Sequence, residues 1–213
     1  MLYDLSPAMD ENLKVWPGDE PPRREIKCHQ KDGASVTLST LHTTVHAGSH
    51  VDGPNHYGLD APGIDGVPLE RFIGRCQIVS ASVKRATRVG VGDLSVKVTE
   101  PRVLIRTGTF EGPGVFNEDF AGLAPELIDE FASRGVVLVG VDTPSVDLFD
   151  SKDLPAHKAF LRNDVSILEG VILNGVADGV YELFALPLKL VGFDGSPVRA
   201  VVREIAPAQS QTE

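Results

Sequence analysis

Apolar and polar residues alternate over Ser35–His42 (S-V-T-L-S-T-L-H), the period of a strand with one face covered. Cys76–Ser82 and Arg102–Thr107 are rich in β-branched and apolar residues and are also predicted as strands. The pattern changes at P-E-L-I-D-E-F-A-S-R-G, residues 125–135, where the apolar positions take helical spacing. Pro125 suits the first turn, acidic residues fall early, and Arg134-Gly135 close the helix. Val136–Val141 is then an uninterrupted apolar run of strand length, which predicts a strand covered on both faces. A short helix fits Ala156–Asn163, and further strands are predicted near Ile167–Leu173, Leu186–Phe193 and Val198–Ile205. Strands outnumber helices and only one strand–helix–strand unit is clear. The expected architecture is therefore an α/β fold with a mixed sheet, in one domain over residues 1–213. The Pro-rich start, with W-P-G-D-E-P-P at Trp16–Pro22, predicts an N-terminal arm or loop over residues 1–25. The small polar run at 206–213 predicts a flexible tail.

Charge narrows the choice of partner. Lys plus Arg number 20 against 30 Asp plus Glu, a net charge of −10. That disfavours nucleic acid and anionic membranes, both of which need a basic face. No apolar run approaches the ~20 residues of a membrane span. The first residues lack a basic start followed by an apolar stretch, so no signal peptide is expected and the expected compartment is the cytoplasm. Cys28 and Cys76 are too few for a disulfide framework or a four-cysteine zinc site, and are expected to be reduced core thiols.

The chemistry concentrates in H-A-G-S-H-V-D-G-P-N-H, His46 to His56. The chain has six histidines, and His42, His46, His50 and His56 all fall in or beside this stretch. His42 sits inside a predicted strand and is expected to be structural. In extended chain His46, His50 and Asp52 share a face, because side chains alternate with period two. Imidazole and carboxylate together suit a divalent cation of the zinc or manganese kind. A polar loop that happens to be histidine-rich is the plainer reading, and the H-x3-H-x-D spacing argues against it. Glu169 lies in the apolar run I-L-E-G-V-I-L, where a carboxylate is costly to bury without a partner or a cation. On the residues alone, a salt bridge or an exposed turn at Gly170 explains it equally well. His157 on the short helix reads by itself as an ordinary helical histidine.

The same stretch resembles the H-x-G-[ST]-H-x-D-x-P-x-H signature of the metal-dependent cyclase-like hydrolases. The likeness extends through D-L-S-P near the start, V-W-P-G-D at Val15–Asp19 and G-V-D-T-P-S-V-D at Gly140–Asp147. It continues through S-K-x-L-x-A-H at Ser151–His157, I-L-E-G at Ile167–Gly170 and S-P-V-R-A-V at Ser196–Val201. The Trp loop and G-V-D-T-P-S-V-D point to the branch of that family that cleaves aryl formamides. The resemblance implies a swivelling β/β/α fold, a homodimer and two divalent metal ions per subunit, usually zinc, with manganese the alternative. It implies His46, His50, Asp52, His157 and Glu169 as metal ligands, with Asp52 and Glu169 bridging. It also implies His56 as the acid/base and Trp16 as the contact for the substrate's aromatic ring. The implied reaction is hydrolysis of N-formyl-L-kynurenine to L-kynurenine and formate. If the arm crosses to a second subunit, Trp16 serves the neighbouring site. Asp142 and Ser145 are candidates to support the ligands, or simply turn residues around Pro144.

Two positions depart from the formamidase pattern: Gly53 stands where alanine is more usual, and Asn55 where leucine is. Asn55 is expected to alter shape or polarity near the reacting carbonyl. The rival readings are a related hydrolase that opens isatin or another cyclic amide, and a non-catalytic metal-binding protein. A serine hydrolase is disfavoured, since no G-x-S-x-G is present to seat the nucleophile.

Overall fold

The computed structural model describes residues 1–205; the tail expected at 206–213 lies outside the described residues. In chain order the elements are β1 (Leu2–Asp4), β2 (Arg23–Cys28), β3 (Leu38–His42), β4 (His50–Asp52), β5 (Ile73–Ser80), β6 (Arg88–Val89), β7 (Arg102–Arg106) and β8 (Gly122–Leu123). There follow α1 (Pro125–Ser133), β9 (Leu138–Val141), α2 (Pro155–Asn163), β10 (Ser166–Glu169), β11 (Gly179–Phe184), β12 (Gly195–Pro197) and β13 (Val201–Glu204). Nine strands form one mixed sheet in the order β1-β13-β11-β5-β7-β9-β10-β4-β12. The run β5-β7-β9-β10 is parallel, and the remaining pairs are antiparallel. β2 and β3 pair as a separate two-stranded ribbon.

Strand periodicity splits the core into two layers. Val79, Val103, Ile105, Val139, Val141 and Ile167 face α1 and α2, where they meet Leu127, Ile128, Phe131, Ala159 and Phe160. The alternate residues Cys76, Ile78, Leu104, Leu138 and Leu168 face the other way, with Leu5, Val51, Phe72, Leu183 and Val202. This is why Val136–Val141 reads as an unbroken apolar run: all four residues of β9 are buried, two toward each layer. Each fully buried Leu, Ile or Phe contributes roughly 1.5–3 kcal/mol of burial.

Three expectations need correction. Residues 1–25 are not all arm, because Leu2–Asp4 pairs with Val201–Arg203 at the edge of the main sheet. Leu186–Phe193 is not a strand. Pro187 lacks a ladder donor, Gly192 turns with φ +75°, and Leu186, Leu188, Val191 and Phe193 are exposed. The strand lies earlier, at β11, where Tyr181 and Leu183 point inward. Cys28 is half-buried on the ribbon, so only Cys76 is a core thiol; burial pushes the Cys76 thiol up to about 12. His42 ends β3 and pairs with Glu25 at 2.8 Å.

Candidate metal centre and its cavity

Sheet register assembles most of the cluster. β4 runs antiparallel to β10 with His50 directly opposite Glu169, and β12 flanks β4 on its other side with Gly195 opposite Asp52. His50 and Asp52 share one face of β4, while Val51 between them enters the core. Gly170 then makes the close approach possible. It has φ +68°, and a Cβ there would fall 2.3 Å from the Gly48 carbonyl oxygen. Ser49 Oγ donates to the Gly170 carbonyl at 2.9 Å, tying the two segments together. The fourth element is α2, whose buried face carries His157 beside Ala156 and Phe160.

All five expected ligand side chains converge. Asp52 Oδ1 lies 3.2 Å from His46 Nδ1 and 3.6 Å from His50 Nε2, and Asp52 Oδ2 lies 3.7 Å from His157 Nε2. Glu169 Oε2 is 3.1 Å from His50 Nε2, and its Oε1 is 3.8 Å from His157 Nε2. Each carboxylate thus stands between imidazoles. Asp52 belongs to two groupings whose donor atoms all lie within 4.8 Å of one another, one with His46 and His50 and one with His56 and His157.

The donor set fits a cation. Asp52 is 2 % exposed, yet neither carboxylate oxygen has a hydrogen-bond partner. A fully buried carboxylate left without hydrogen bonds is costly, and a bound cation removes that cost. The rings report the same excess of negative charge. Burial opposes the charged form of His46, but Asp52, Asp194 and Glu169 outweigh it and raise its pKa to about 9. Burial likewise opposes charge on His157, and Asp147, Asp52 and Glu169 raise it to about 10. His56 differs, since burial holds its imidazole below the ordinary value.

Two supporting carboxylates were missed from the sequence. Asp147 is fully buried; it accepts from His157 Nδ1 at 2.8 Å, from the His157 and Ala156 amides at 3.1 and 3.2 Å, and from Arg88 at 2.7 Å. It therefore fixes the ring tautomer of His157 and caps the N-terminus of α2 from outside the helix. Asp194 lies 3.0 Å from His46 Nε2 and 3.7 Å from His56 Nδ1. The signal for Asp147 was its place in G-V-D-T-P-S-V-D; Asp194 carried none. Of the candidates offered instead, Asp142 takes the amides of Thr107 and Gly108, while Ser145 Oγ accepts from the Asp147 amide. The next residue, Val146, donates its amide to Glu169 Oε1 at 2.8 Å.

Four of the five expected ligands, His46, His50, His157 and Glu169, line a cavity of about 470 Å³, together with His56, Trp16, Phe110, Phe116 and Leu154. Trp16 reaches the same chain's cavity, so the arm folds back on its own body. It stacks at a tilt on Phe149, with ring centroids 4.9 Å apart, and meets Phe116 and Phe120 edge-on. Asn55 does not line this cavity. Its Nδ2 donates to the Gly192 carbonyl at 3.1 Å, and its Oδ1 lies 2.7 Å from where a Cβ on residue 53 would sit. The Ile64 amide nitrogen and the Phe193 carbonyl oxygen each lie 2.9 Å from the same point, so Gly53 is enclosed by backbone as well as by Asn55.

The family model for Cyclase, described as "Putative cyclase", matches residues 3–148. The chain belongs to this cyclase family. A solved structure described as a potential metal-dependent hydrolase with cyclase activity superposes with a TM-score of 0.80 at 25% identity, covering 96% of this chain and 99% of that one. Isatin hydrolase A from Ralstonia solanacearum also superposes with a TM-score of 0.80, over 96% of this chain and 92% of that one, but at 21% identity, which shows the fold alone. Within the family the chain is 40% identical to the kynurenine formamidase of Bordetella petrii over 212 residues, 96% of this chain and 98% of that protein. Among the described residues no helix is long and apolar enough to cross a membrane.

Proposed function

We propose that this chain is a metal-dependent arylformamidase that hydrolyses N-formyl-L-kynurenine to L-kynurenine and formate. Likeness to a kynurenine formamidase along nearly the whole of both chains favours this substrate over isatin, whose hydrolases share the fold at lower identity. The observation that carries the chemistry is Asp52, buried without a hydrogen bond among three imidazoles and a second carboxylate. His46, His50, Asp52, His157 and Glu169 would hold two divalent ions, zinc in the first instance. When bound, such ions supply a Lewis acid that makes hydroxide available near neutral pH and stabilises a developing oxyanion.

The chain's own groups do the rest. Trp16 offers an aromatic face to the aryl ring and, with Phe110 and Phe116, keeps that end of the cavity apolar. His56 has Nδ1 toward Asp194, which leaves Nε2 for proton transfer. In its neutral form it takes a proton from the attacking water and returns it to the departing anilino nitrogen, which leaves poorly as an anion. Leu154 and the Trp16 loop also line this cavity. On the β2–β3 ribbon Ile26 and Leu41, each more than half accessible, lie on one face, and this apolar pair supports a homodimer.

The test is a substrate panel with the metal-loaded protein, following kynurenine formation by absorbance. Turnover of N-formylkynurenine well above that of isatin supports the assignment; the reverse preference refutes it.

A further inference from the structure

Charged side chains on the cavity wall mostly have partners within the protein. Glu111 pairs with Arg85 at 3.1 Å, Asp142 accepts from Thr107 and Gly108, and His56 faces Asp194. Lys14 and Asp19 are the exceptions: among the described residues neither side chain has a salt bridge or a hydrogen bond, and both are exposed. Lys14 is also the one Lys or Arg on a wall that carries Asp19, Glu111, Asp142 and Glu169. The two flank Trp16 in L-K-V-W-P-G-D. Their backbone is fixed even though their side chains are free. The Lys14 amide donates to the Pro113 carbonyl at 2.8 Å, and the Asp19 amide closes a turn onto the Trp16 carbonyl at 2.9 Å.

We infer that Lys14 and Asp19 form a subsite for the α-amino acid group of the substrate, Lys14 receiving its carboxylate and Asp19 its ammonium. The inference rests on the formamidase reading and specifies how that site selects its substrate. In N-formylkynurenine the amino acid chain leaves the ring carbon next to the formamide, so with the ring on Trp16 and the formyl group toward His56 its charged end, a ketone and a methylene further on, extends from the ring edge that bears both groups. The one Lys or Arg on the wall and an unpaired carboxylate are carried by the same loop as Trp16. Opposite charges on either side of the Trp loop match a zwitterion, and they offer nothing to a neutral aryl formamide. Recognition of the amino acid group is separated from the reacting centre, so it sets substrate preference without altering the chemistry.

The test compares kcat/KM for N-formyl-L-kynurenine with that for 2-formamidoacetophenone, which keeps the formamide, ring and ketone but lacks the amino acid group. Lys14→Met and Asp19→Asn are each expected to reduce the preference for N-formylkynurenine by about fivefold, the effect of losing one partly exposed ion pair. The loss should appear in KM rather than kcat, and Lys14→Arg should restore most of it. Preference ratios unchanged in both variants, with an active wild-type enzyme, overturn the subsite and leave the formamidase reading standing. A metal-restored wild-type enzyme inert toward both substrates overturns the two together.

Discussion

Replacing Asp147 by asparagine removes one charge and one acceptor oxygen while keeping the side chain's shape. The wild-type carboxylate accepts from four donors on three residues, Arg88, Ala156 and His157, and is fully buried. An asparagine amide must turn its NH2 toward two of those donors, so at least one hydrogen bond becomes a donor–donor contact. Breaking a buried, hydrogen-bonded charge pair costs about 3–5 kcal/mol. Arg88 retains some access to water, which places the cost near the lower figure, about 3 kcal/mol. For a chain of this size that is a fall in Tm of roughly 6–12 °C. The ring of His157 also loses the partner that holds its tautomer, so metal affinity should fall by about 10- to 100-fold. Thermal unfolding in the presence of chelator isolates the first effect, and competition with a metal indicator of known affinity isolates the second. An Asp147→Asn variant within about 0.5 kcal/mol of wild type and equal in metal affinity would refute the account of this carboxylate.

Other outcomes follow from other groups. His56→Gln should lower kcat by about 10²- to 10⁴-fold while metal content stays at the wild-type level, and a matching loss of metal would make His56 a ligand instead. Gly53→Ala should destabilise by about 1–3 kcal/mol in urea unfolding, because its Cβ would lie within 2.9 Å of the Phe193 carbonyl and the Ile64 amide as well as against Asn55; an unchanged midpoint counts against that packing. Burial pushes the Asp178 carboxyl up, but Ser80, Ser95 and Arg106 outweigh it and hold the pKa below the ordinary value. Its stabilisation is therefore complete above about pH 4 and is lost as pH falls through the lower folded value. The gap in urea midpoint between wild type and Asp178→Asn should accordingly close on acidification, and a gap constant from pH 2 to 7 contradicts it.

The parts of this molecule legible in its sequence are those fixed by local periodicity. β9, α1 and α2 were visible because their apolar spacing follows from which faces they bury. Leu186–Phe193 misled because a run of large apolar residues looks alike whether it is covered or left exposed in a loop. The candidate ligands His46, His50 and Asp52 are legible because they lie within seven residues of one another. Glu169 and His157 were not distinguishable from ordinary residues by spacing, since β10 and α2 bring them in through long-range register; only likeness to a family marked them. Asp194 shows the limit most plainly. It stands 148 residues from His46, and only the β4–β12 pairing brings their segments together.

Asp52, buried among imidazoles and without a hydrogen bond, is held to mark a centre which becomes a formamidase when it holds divalent metal. The direct measurement is hydrolysis of N-formylkynurenine by chelator-stripped protein, with zinc or manganese titrated back and bound metal counted alongside the rate. The account predicts negligible turnover without metal and activity that rises as two ions per chain are taken up. Full activity in the stripped protein, or two ions bound with this substrate left untouched, would contradict it.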